Sequence, residues 1–90
     1  MAKGAIGDAY LELGDSESAI KYYKDAADKN VNDFTTPVFL MKLGFLYDSQ
    51  KKFDLSLPLY ERIQKEFSKS GEARGIEKYI ARNKALIPAK

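Results

Sequence analysis

The sequence predicts an all-α fold: an α-α superhelix of antiparallel helical hairpins, five helices in all. Three observations lead there. Apolar residues recur at three- and four-residue spacing along the chain, and no stretch alternates as a strand does. Glycine, proline and helix-capping residues punctuate that pattern at short intervals. The chain also repeats itself, since Gly7-Asp8-Ala9-Tyr10 lines up with Gly44-Phe45-Leu46-Tyr47 at an offset of 37 residues.

The first segment, about residues 2–13, places Ile6, Ala9, Tyr10 and Leu13 on one face, and Gly14 follows where a left-handed residue ends a helix. Asp15 and Ser16 are N-caps for the second, about 16–29, which repeats Ala19, Ile20, Tyr23, Ala26 and Ala27. Asn30 through Thr36 are polar and form a loop. Thr36 as cap and Pro37 in the first position open a third helix, about 37–50. It is apolar nearly all round, so it is buried on most sides or offers a face to a partner. After the polar turn Gln50-Lys51-Lys52, a fourth helix, about 53–67, carries Phe53, Leu57, Tyr60, Ile63 and Phe67, with a tolerated bend at Pro58. Ser68-Lys69-Ser70-Gly71 breaks the chain again. A fifth helix, about 71–86, shows Ala73, Ile76, Tyr79, Ile80 and Leu86 before Pro88. Short connections make neighbouring helices antiparallel.

Composition narrows the function. Ninety residues make one small domain, residues 1–90, and the start almost inside a helix reads as an excised part of a longer array. The chain is 44% hydrophobic and 31% charged, which suits a folded domain. It has no cysteine and no histidine, which removes disulfides, thiolate metal sites, cysteine nucleophiles and the commonest general base. Asp25 and Asp28 share a helix face beside Lys24 and Lys29 and read as solvated. Ser68 and Ser70 flank Lys69 but nothing supplies an oxyanion site, so they read as caps. No Gly-rich phosphate loop occurs. The chain is therefore expected to be no enzyme and to need no metal or cofactor. The net charge of +2 conceals −2 over residues 1–30 and +4 over residues 61–90. Those charges alternate in sign, as on a solvated helix face, so neither nucleic acid nor a membrane is the expected partner. No apolar run approaches the length of a membrane span.

Extending the repeat pairs Ile6 with Leu43, Ala19 with Ser56, Ile20 with Leu57 and Tyr23 with Tyr60. A helix–turn–helix unit of 34 residues is the tetratricopeptide repeat, and a three-residue insertion in the loop at 32–36 reconciles the two periods. The first unit, residues 2–31, resembles that family in Ile6, Gly7, Tyr10, Ala19, Tyr23 and Ala26. It departs at Lys3 and Val31. The second unit, 37–68, resembles it in Leu40, Leu43, Gly44, Tyr47, Ser56 and Tyr60, and departs at Ile63 and Ser68. Gly7 and Gly44 would let the hairpins close, Ala19, Ser56 and Ala26 would keep the crossings tight, and the tyrosines would fill the gaps between hairpins. The fifth helix, 71–86, does not match the motif and is similar to the capping helix that ends such arrays. Gly4 through Tyr10, Lys24 through Lys29, Thr36 through Leu40 and Lys78-Tyr79-Ile80 are similar to the C-terminal part of membrane-anchored tetratricopeptide proteins of Bacteroidetes. That resemblance implies a position on the periplasmic face of an inner membrane.

The family resemblance implies a non-catalytic scaffold that binds a protein or peptide in its concave groove. The groove positions it implies are Gly4, Asp8, Leu11 and Glu12 in the first unit and Val38, Met41, Phe45 and Asp48 in the second, with Ile76 and Tyr79 completing the wall. Such a strip is apolar with acidic edges and suits a peptide with basic flanks. Met41 and Phe45 are either its anchors or core beneath the last helix. Gly4 and Asp8 stand where carboxylate-gripping members of the family need Lys and Asn, so that specialisation is not expected. The alternative role is extension or self-association of a longer array. Ile6, Leu13, Ile20 and Tyr23 would then face a neighbouring hairpin, and a homodimer through that end is possible.

Overall fold

The computed structural model describes residues 3–29 and 31–88. Residue 2, where the sequence opens the first helix, and Asn30 lie outside the described residues, as do the side-chain surroundings of Lys3, Gly4 and Ala5. The helices are α1 (Lys3–Glu12), α2 (Ser16–Asp28), α3 (Thr36–Ser49), α4 (Phe53–Glu66) and α5 (Ile76–Leu86). Each packs on the next, α1 on α2 through α4 on α5. The result is two hairpins and a single helix stacked in a slab of 39 × 29 × 18 Å.

The two hairpin turns are built alike. Gly14 has φ 81° and Lys51, 37 residues on, has φ 60°. In both, the next amide bonds back to a tyrosine carbonyl at 2.9 Å, Asp15 N to Tyr10 O and Lys52 N to Tyr47 O. This is the left-handed helix ending that the first turn's glycine suits. Lysine holds the second at a steric cost. Asp15 caps α2, accepting from Ser18 N at 3.1 Å.

Two helix starts differ from expectation. Thr36 is not the cap of α3. It lies inside the helix, fully buried, and its hydroxyl accepts from Asn32 N at 2.9 Å. Thr35 precedes the helix and caps it with no side-chain hydrogen bond, while Asn32 Oδ1 closes the turn before it, accepting from Phe34 N at 2.9 Å and Thr35 N at 2.8 Å. A short amide side chain can satisfy two leading N–H groups without taking helical geometry itself. The fifth helix begins at Ile76, not 71. Residues 71–75 form separate turns closed by Ala73 N to Ser70 O and Arg74 N to Gly71 O, both at 3.2 Å. Gly75 then takes φ 72°, which stops helix from propagating backwards.

The core lies in two layers. Ala19, Tyr23, Leu43, Leu46 and Tyr47 bury one another between the hairpins. Ala27, Leu40, Tyr60, Ile63, Phe67, Ile76 and Ile80 form the second layer, reaching α5. Phe39 and Leu59 pack against both. Each fully buried leucine or isoleucine here contributes about 1.5–3 kcal/mol.

A β-carbon placed on Gly7 would sit 2.8 Å from Tyr23 Cε1, and one on Gly44 would sit 2.6 Å from Tyr60 Cε1. In both hairpins a buried tyrosine ring therefore lies where any larger residue's side chain would begin. Tyr23 is buried, so it is not part of the exposed end where the sequence reading placed it. Tyr10 packs against the layer between the hairpins and also stacks on Tyr22 of its own hairpin, centroids 5.4 Å apart. Ala26 is only half-buried, and its neighbour Ala27 takes the core position.

The last helix keeps the period of the others. Helices α1, α3 and α5 end at Glu12, Ser49 and Leu86, each 37 residues after the last. In that register Ile80 follows Leu43 as a buried residue, and Ala81 follows Gly44. Glu77 and Lys84 stand where α3 has the buried Leu40 and Tyr47, and both are exposed. In the register of a first helix, α5 thus carries charge at two positions that are buried in α3.

Candidate concave site

Helix α3 lies at the centre of the stack, packed on α2 and on α4. A cleft of about 440 Å³ opens between α1 and α3, lined by Asp8, Leu11, Tyr23, Lys42, Phe45, Leu46 and Ser49. Leu11 is 43% exposed and Phe45 45% exposed, both large for apolar side chains. Phe45 also turns toward α5, its ring 5.5 Å from Tyr79 and 6.3 Å from Tyr60. The Tyr79 ring carries Lys78 Nζ at 5.3 Å and the Arg82 guanidinium at 5.2 Å from its centroid.

Of the three carboxylates expected along the groove, Asp8 and Asp48 are engaged within the molecule. Asp8 accepts from the Tyr23 hydroxyl and takes Lys42 Nζ at 3.0 and 3.1 Å. The Tyr23 hydroxyl, then the Lys42 ammonium, holds the Asp8 carboxyl below its usual range. Burial, reinforced by that carboxylate, pushes the Tyr23 hydroxyl far up. Asp48 is more enclosed, its side chain 13% exposed. It accepts from Tyr60 OH at 2.6 Å, Ser56 Oγ at 2.5 Å, Asn83 Nδ2 at 3.0 Å and Arg82 Nη2. Asn83 Nδ2 lies 2.6 Å from Ser56 Oγ as well. The Tyr60 hydroxyl is raised like Tyr23, by burial first and Asp48 second.

One design serves both seams between units. A carboxylate on the first helix of a hairpin accepts the tyrosine hydroxyl of its own second helix and a cation from the helix that follows. Lys42 reaches Asp8 and Arg82 reaches Asp48, each across 34 residues of sequence. In the second seam both partners sit one turn further along, three residues past the positions equivalent to Asp8 and Lys42.

The expected groove residues therefore divide. Leu11, Phe45 and exposed Glu12 remain available to a ligand, with Asp8 at the cleft wall in an ion pair. Met41 and Tyr79 are partly buried against the second core layer, and Val38 is half-buried. Ile76 is core. Asp48 faces inward to its four donors, so the acidic edge expected there is absent. Among the repeat-packing residues, Gly7, Ala19, Tyr23, Gly44, Tyr47, Ser56 and Tyr60 are buried, and Tyr10 is half-buried. Sequence reasoning missed Lys42, Arg82 and Asn83. Asn83 did carry a signal: it falls on the stripe Ile76–Ile80–Ile87, an amide in an apolar row.

Among the described residues no helix is long and apolar enough to cross a membrane. Tetratricopeptide repeat models match residues 2–28 and residues 39–70. Neither the curated proteins nor the solved structures returned a match. Tetratricopeptide repeats generally mediate contacts between proteins, and the family is typically non-catalytic. The matched segments coincide with the two hairpins, each closed by the same glycine–tyrosine contact, and the chain belongs to the tetratricopeptide-repeat family.

Proposed function

We propose that the chain is a non-catalytic scaffold that captures a peptide segment of a protein partner on its concave face. The observation that carries this reading is the open cleft between α1 and α3, with Leu11 and Phe45 exposed on its walls. An apolar side chain entering it would cover both and displace loosely held water. Met41 and Tyr79 support Phe45 from below rather than meeting the ligand first.

The test is selection of a displayed random peptide library on the immobilised chain. An enriched consensus should bind the native chain and lose at least tenfold in affinity on Phe45→Asp, with the far-UV helical spectrum retained. A variant that unfolds would make Phe45 core, and unchanged binding would remove the cleft from the function.

One observation favours a second reading, in which the segment extends or pairs a longer array. Leu13, in the turn of the first hairpin, is 80% exposed. Light scattering behind size exclusion decides it: a dimer that Leu13→Ser dissociates supports self-association, and a monomer at high concentration removes it.

A further inference from the structure

Resting on the concave-face reading, we infer that the groove takes a segment of a particular charge order: an apolar or aromatic anchor with an acidic residue on its α5 side. The sequence suggests the opposite, a ligand with basic flanks, because Asp8 and Asp48 look like acidic edges. The structure neutralises both. Asp8 is paired with Lys42 and Asp48 with Arg82. What remains uncompensated is asymmetric. At the α5 end, Lys78 is exposed and has no acidic partner among the described residues, its ammonium resting on the face of Tyr79. At the α1 end, exposed Glu12 has no cationic partner among the described residues.

Distances set the reach. Lys78 Nζ is 5.3 Å from the Tyr79 centroid, which is 5.5 Å from Phe45. An anchor seated on Phe45 therefore meets Lys78 with a carboxylate about one to two helical turns away, or a few residues away in an extended chain. The Lys78 ammonium over the Tyr79 ring also keeps a cation beside an apolar surface, so anchor and acid are read together. A basic residue on that side would meet the like charge of Lys78 and be disfavoured.

The library consensus provides the probe. It should contain an apolar or aromatic anchor with Asp or Glu to one side. Its affinity should fall about fivefold or more with Lys78→Glu and weaken as salt rises. Changing the peptide's acid to lysine should restore binding to Lys78→Glu, a rescue that mere loss of structure cannot produce. A consensus without acid, or binding indifferent to Lys78→Glu while Phe45→Asp abolishes it, overturns the charge order and leaves the groove standing. Indifference to Phe45→Asp, or no enrichment at all, overturns both. Equally tight binding of single-stranded polyuridine, lost in Lys78→Glu, would make this surface a nucleic-acid platform and overturn the peptide reading.

Discussion

Lys51 and Gly14 occupy the same place in two turns of the same geometry, and only one of them is suited to it. Both have positive φ, and an L side chain meets steric resistance there that glycine escapes. Lys51 is exposed, and its backbone hydrogen bond to Asp48 O at 2.9 Å is one that glycine would keep. Lys51→Gly should therefore raise stability by about 0.5–1 kcal/mol, seen as a higher urea midpoint at unchanged slope. A lower midpoint would mean the lysine side chain holds the turn. At Gly44 the constraint is the opposite one, crowding in place of torsion. The ring that a β-carbon would strike cannot retreat, because Tyr60 is fully buried and its hydroxyl is held by Asp48. These residues are legible in the sequence because steric needs are local to a hairpin: a small residue, a tyrosine and a turn recur at fixed spacing. Lys42 and Arg82 are not legible in the same way. Each bonds across 34 residues, and only the stacking of hairpins decides which carboxylate it meets.

Among the helices, α5 is the one held chiefly by polar contacts at its C-terminal half. Ile76 and Ile80 enter the core, then Arg82 and Asn83 fasten the rest to Asp48. Removing that carboxylate strands the buried Tyr60 hydroxyl and takes one acceptor each from buried Ser56 and Asn83. Asp48→Ala should cost about 2–4 kcal/mol and speed amide exchange in α5 more than in α1 and α2. Uniform loss of protection would show that the network stabilises the whole stack and not the last helix. Asp8 is the control. It makes the matching contacts with its side chain half in water, so its loss costs far less. The start of α5 was misplaced in the sequence reading for a comparable reason. Ser70 through Gly75 have the composition of a helix's first turn, yet two glycines bracket too few residues to nucleate one.

The molecule as a whole carries one protected phenol per hairpin, which ties its stability to alkaline pH. Tyr23 and Tyr60 both titrate above the ordinary tyrosine value of 10.0. The folded state thus keeps protons that the unfolded chain gives up. The contribution is complete below pH about 10 and declines as pH rises beyond it. The melting temperature should drop above that pH, and the double variant Tyr23→Phe with Tyr60→Phe should drop less steeply. Equal slopes would sink the assignment. Asp8 acts at the other extreme: its lowered value adds stability above the ordinary carboxyl range that is lost as pH falls through its folded value. Fold class and hairpin order were readable from periodicity alone. The charge of that face was not, because Asp8 and Asp48 are each answered by a cation from the following unit.

The common period of α1, α3 and α5 decides where this chain tolerates a change of length. One residue added inside α5 ahead of Ile80 would turn the helix beyond it by about 100° relative to the residues before. That single step would swing Ile80 out of the core and draw Arg82 and Asn83 off Asp48 together. The same residue added beside exposed Ser68 and Lys69, where no regular helix passes, leaves the helices on either side in phase. Insertions and deletions are thus absorbed between the units and refused within them, so descendants of this sequence can vary the gaps freely only while each helix keeps its phase.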